Sequence, residues 1–102
     1  MIHFKLDTDA SFAELTDGRL NRYGIKTILG NKDVWGRLTA TISFAGSKVL
    51  VRCDHQNNVE RLIPTDDKPE IGYVLNAISA ELGVTFIADR EEIGMFLDGE
   101  LA

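Results

Sequence analysis

Cys53, Asp54 and His55 place a thiol, a carboxylate and an imidazole on three consecutive residues, and an extended chain turns Cys53 and His55 to the same side. Two chemistries use such a trio, a zinc site and a thiol nucleophile with a neighbouring base. Zinc asks for about four ligands, normally in two spaced pairs, and His3 is the only other imidazole in the chain. A nucleophile asks in addition for an oxyanion hole. Cys53 continues the apolar side of the alternation that precedes it, so the expectation is a small buried hydrophobe beside a structural His55, with no metal and no catalytic residue.

The carboxylates Asp66, Asp67, Asp89, Glu91 and Glu92 are the second candidate chemistry, since paired acids serve as general acid and base or bind a metal. Both groups, however, stand where helices are expected to begin, and acids are favoured there by capping and by the helix dipole. The third candidate is a run of bases interleaved with aromatics between Arg19 and Arg37. Arg22, Tyr23, Lys26, Trp35 and Arg37 would form a sheet face able to stack and neutralise single-stranded nucleic acid. A sequence pI near 4.9 lacks the basic footprint such a module carries. No phosphate-cradling Gly/Lys loop, serine elbow or dinucleotide fingerprint is present. Gly18, Gly24, Gly30 and Gly36 recur every six residues, but the residues before them share no type, so turns and bulges explain them better than stacked coils.

The elements that would carry these residues follow from the apolar periodicity. Ile2, Phe4 and Leu6 alternate with polar residues and predict a short strand. Ser11 with Glu14 has capping-box spacing and predicts one or two helical turns ending at Asp17-Gly18. Arg22 to Leu29 is strand-like, with Tyr23, Ile25, Thr27 and Leu29 on one side. Leu38, Ala40, Ile42 and Phe44, then Val49, Val51 and Cys53, predict a hairpin. A Gly46-Ser47 turn would set Phe44 opposite Val49 and Ile42 opposite Val51. Val59 to Ile63 predicts a further strand. Beyond Pro64 the period lengthens: Ile71, Val74, Leu75, Ile78 and Leu82 form the stripe of a helix that opens near Pro69 and stops at Gly83. Val84 to Ala88 reads as a strand, and Asp89 to Leu97 as a short capped helix before Gly99.

The expected fold is therefore α+β, a mostly antiparallel sheet of about four to six strands with one long and one or two short helices on one face. At 102 residues, without a Pro/Gly-rich linker, one domain spanning 1–102 is expected. No apolar run approaches the ~20 residues of a membrane span and the start is unlike a signal peptide, so the expected location is cytoplasmic. Cys53 is the only cysteine, which fits a reducing compartment. Net charge is divided unevenly: residues 1–63 sum to +2 and residues 64–102 to −7. An acidic field of that kind favours a basic partner and disfavours nucleic acid.

With no assembled catalytic chemistry and no cofactor implied, the expected function is non-enzymatic: a protein-binding module, foremost a small acidic inhibitor, antitoxin or immunity-type protein that masks a basic surface, for instance on a toxin or a nucleic-acid-acting enzyme. Glu81, Asp89, Glu91, Glu92 and Asp98 are its candidate contact residues. A single-stranded nucleic-acid module and a small enzyme assembled only in the fold are the alternatives.

Overall fold

The computed structural model describes residues 3–65 and 70–89. Six strands form one sheet: β1 (His3–Leu6), β2 (Lys26–Leu29), β3 (Thr39–Phe44), β4 (Ser47–Cys53), β5 (Val59–Pro64) and β6 (Phe86–Asp89). Their order is β2-β3-β4-β5-β1-β6, and each neighbouring pair is antiparallel. Helix α1 (Phe12–Leu15), a 3-10 turn (Arg19–Tyr23) and the longer helix α2 (Glu70–Leu82) are the helical elements among the described residues. The fold is α+β, as the periodicity predicts. No helix among the described residues is long and apolar enough to cross a membrane.

Alternation decides which face of the sheet is covered. Ala40 and Ile42 on β3, Val49, Val51 and Cys53 on β4, and Leu62 on β5 are buried on one side. They meet Leu15 of α1, Leu20 of the 3-10 turn and the α2 stripe of Ile71, Val74, Ala77 and Ile78 in one core. The α2 stripe is the expected one, and the helix ends where Gly83 takes φ 67° and its N–H donates to the Ser79 carbonyl at 2.9 Å. Half of the expected capping box forms: Ser11 Oγ accepts from the Glu14 N–H at 3.1 Å, while Glu14 Oε1 accepts from the Ser11 hydroxyl at 3.0 Å rather than from its main-chain N–H.

Two local expectations are corrected. The β3–β4 turn is Ala45-Gly46 rather than Gly46-Ser47, with φ of 50° and 81°, the positive pair that a type I′ hairpin turn requires. Phe44 therefore pairs with Ser47, Ile42 with Val49 and Ala40 with Val51. This register lies two residues from the expected one, so every side chain keeps its face. It sets two fully buried branched side chains opposite each other, while the Phe44 ring stacks on Tyr73 of α2 at 4.6 Å.

The second correction concerns Arg22 to Leu29, of which only Lys26–Leu29 is strand. Arg22 and Tyr23 belong to a 3-10 turn bracketed by Gly18 and Gly24 at φ 96° and 76°. Burial of Leu20 holds that turn against the core and outweighs the β-leaning composition. Of the expected terminal helix, Asp89 is the last residue of β6 and the rest lies outside the described residues.

Candidate functional site

The second face of the sheet carries the molecule's most distinctive surface. Pairing of Ile28 with Thr41, Thr41 with Leu50 and Leu50 with Ile63 lines up one outward row across β2, β3, β4 and β5. Ile28 is 55% and Leu50 44% exposed. A shallow pocket of about 290 Å³ lies over this row, bordered by Trp35, Thr41, Leu50, Arg52 and Ile63. Along one margin Lys26 pairs with Ser43 and Ser43 with Lys48. Along the other, Thr39 pairs with Arg52 and Arg52 with Arg61.

Trp35 reaches the pocket from the loop between β2 and β3, and that loop is built on Asp33. Asp33 Oδ1 accepts from the N–H groups of Trp35 and Arg37, both at 2.9 Å, and Oδ2 accepts from Arg37 Nε at 3.1 Å. The Arg37 N–H is the chief cause holding the Asp33 carboxyl below its ordinary value, with the Trp35 N–H and the Arg37 charge adding to it. The guanidinium in turn lies 4.9 Å from the centre of the Trp35 ring, which stays 67% exposed. Gly30 lets the loop leave β2 close to β3: a Cβ there would come within 2.5 Å of Thr39 Oγ1.

A bulge at Arg52/Cys53 opposite β5 places Glu60 between two cations. Its carboxylate lies 3.6 Å from Arg37 Nη1 and 3.4 Å from Arg52 Nε. Asp33, Arg37, Glu60 and Arg52 thus form an internally balanced network. Of the two guanidiniums only that of Arg52 borders the pocket, facing the Glu60 carboxylate, and the lining there is mostly apolar.

The structure divides the basic and aromatic segment read from the sequence. Lys26, Trp35 and Arg37 belong to the open face. Arg22 and Tyr23 lie on the helix-covered side, where Arg22 Nη2 meets Glu81 Oε2 at 2.9 Å and the Tyr23 carbonyl accepts from the Tyr73 hydroxyl at 3.2 Å. Glu81 is thereby neutralised within the molecule. Asp89 closes β6, while Glu91, Glu92 and Asp98 lie outside the described residues, as do Asp66 and Asp67.

Comparison of the chain with protein-family models, with curated proteins and with solved structures finds no match. The surface must be read from its own chemistry. Cys53 is fully buried, and burial pushes its thiol up to about 11, with the charges of Asp54 and Glu60 adding to the shift. Asp54 caps its own turn, accepting from the N–H groups of Gln56 and Asn58 at 2.8 and 3.0 Å, and His55 is exposed. The three residues do not converge. Among the described residues no group of three or more His, Cys, Asp and Glu side chains is arranged to hold a metal ion.

Ile28, Leu50 and Ile63 are the surface residues that the sequence reading passed over. A signal was available: Leu50 stands between the inward Val49 and Val51, at a position whose neighbours on the same side are Lys48 and Arg52. A leucine on the polar side of a strand is weak evidence alone, but Ile63 repeats it on the next one.

Proposed function

We propose that this protein is a non-enzymatic protein-binding module and that the open face of its sheet is the surface it binds with. The single observation that carries the reading is the exposed Ile28 and Leu50 in one row with the half-buried Thr41 and Ile63, and the exposed Trp35 beside them. Contiguous exposed apolar groups are costly to leave in water and mark interaction sites. A tryptophan next to arginine and rimmed by polar groups is the composition of an interface hot spot. Within that class the preferred subtype is the small acidic inhibitor that covers a basic surface of its partner, because residues 64–102 carry a net charge of −7. The apolar row would supply affinity and the acidic part would speed encounter.

The test compares immobilised wild type with Leu50→Lys and Trp35→Ala against native lysate, then titrates the purified retained protein directly. Each substitution is expected to weaken binding by about thirtyfold or more, which corresponds to ~2 kcal/mol, with the Tm unchanged. Lys26→Ala, at the margin, should change it by less than about threefold. A partner whose affinity is indifferent to Leu50→Lys would refute the assignment of this face. A labelled oligothymidylate added in parallel should not bind. Tight, Trp35-dependent binding of it would move the reading to single-stranded nucleic acid, which the pairing of Arg37 and Arg52 with Asp33 and Glu60 argues against.

A further inference from the structure

We propose that the free edge of β2 pairs with β2 of a second copy, joining two sheets about a two-fold axis that passes through Ile28. The inference rests on the edge strand alone and stands whether or not the open face binds a partner. β2 is one of the two terminal strands in the order of the described sheet, the other being β6. The Gly30 N–H donates to the Thr39 carbonyl at 2.9 Å. In an antiparallel ladder every second residue turns its main-chain groups to the neighbouring strand. Lys26 and Ile28 therefore face β3, and the N–H and C=O groups of Thr27 and Leu29 point away from the sheet.

Natural edges are guarded by inward charges, prolines or bulges, and Thr27-Ile28-Leu29 has none of these. Ile28 and Leu29 are 55% and 65% exposed, on opposite faces. Both sides of this edge therefore gain apolar contact when a strand is added.

The strand is also complementary to itself. With Ile28 on the axis, it faces Ile28 of the second copy as a non-hydrogen-bonded pair. The outward groups of Thr27 and Leu29 then bond those of Leu29 and Thr27 across the join. Lys26, the one charge in β2, falls opposite Gly30 of the second copy, so no like charges meet. The outward rows of the two copies become continuous, running Ile63, Leu50, Thr41 and Ile28 and then the same residues in reverse. An added-strand interface of four residues is small, so the association is concentration-dependent.

Sedimentation equilibrium of the whole chain from about 10 µM to about 1 mM tests this. The weight-average mass should climb from 11.3 kDa towards twice that value. Thr27→Pro removes only an outward-facing N–H, so it should abolish the rise while circular dichroism and Tm report a folded protein. Under mild oxidation Ile28→Cys should form a disulfide-linked dimer, since residues opposite each other in a non-hydrogen-bonded pair have Cα atoms about 4.5 Å apart. Thr27→Cys should not, and the buried Cys53 does not compete. A mass of one chain at every concentration overturns the proposal. So does a dimer that survives Thr27→Pro and cross-links through Leu50→Cys instead of Ile28→Cys, because that would place the open faces, not the edges, together.

Discussion

Asp33 gathers two main-chain N–H groups and a guanidinium around one carboxylate, and so fixes the loop that presents Trp35. Its pH dependence follows from the direction of its shift. A carboxyl whose folded value is depressed stabilises the fold fully above its ordinary value of 3.8 and loses that contribution as the pH falls through the folded value. Asp33→Asn should therefore lower the Tm at pH 7, and the gap to wild type should close as the pH is taken below 3.8. Thermal melts at a series of pH values check this, and a gap that persists in acid would show that the asparagine disturbs the loop for another reason. The sequence named Trp35 and Arg37 as candidates but not Asp33, because an acid that organises a turn looks like any other loop acid until the donors around it are counted.

The turn between β3 and β4 shows what an apolar pattern can and cannot determine at the level of an element. Side chains repeat every two residues along a strand, so a slip of two leaves every residue on its own face. The pattern specified the hairpin and its buried side, but turn chemistry alone selected between Gly46-Ser47 and Ala45-Gly46. Ala45 pays for its positive φ, as L residues other than Asn, Asp and Gly do. Ala45→Asn should therefore stabilise the protein by about 1 kcal/mol, seen as a Tm rise of roughly 4–8 °C. No rise would mean that the turn relaxes out of this conformation in solution. On the strand itself, Ile42 is fully buried and Thr41 faces outward. Denaturant melts should show Ile42→Ala costing about 2–5 kcal/mol and Thr41→Ala less than ~1. Equal costs would contradict the assignment of faces. For β2 the composition overstated the strand, since Tyr23 and Ile25 favour extension while Gly18, Gly24 and the buried Leu20 bend the chain into a 3-10 turn.

Across the whole molecule, charge and strand order were legible to different degrees. The acidic bias of residues 64–102 is a property of the sequence, and its predicted consequence is kinetic. Changing Glu91 and Glu92 to Lys should slow association with the native partner at low salt, and the difference should shrink towards 1 M salt, where the Debye length is about 3 Å. Stopped-flow association rates measure this, and a salt-insensitive, unchanged rate in the folded double mutant would remove the acidic part from the encounter. Strand order was not legible, because periodicity predicts a strand at Ile2 to Leu6 without saying which neighbours it will find. Its neighbours are distant: Phe4 pairs with Leu62 on one side and Ala88 on the other. The four strands from β2 to β5 are joined by local connections, and loop closure over short separations is fast, whereas β1 and β6 rely on contacts that span most of the chain. Of the six described strands, β1 is thus made first and is among the last to be enclosed. Until β5 leaves the ribosome both of its edges stay open, and one stays an unsatisfied template until β6 follows.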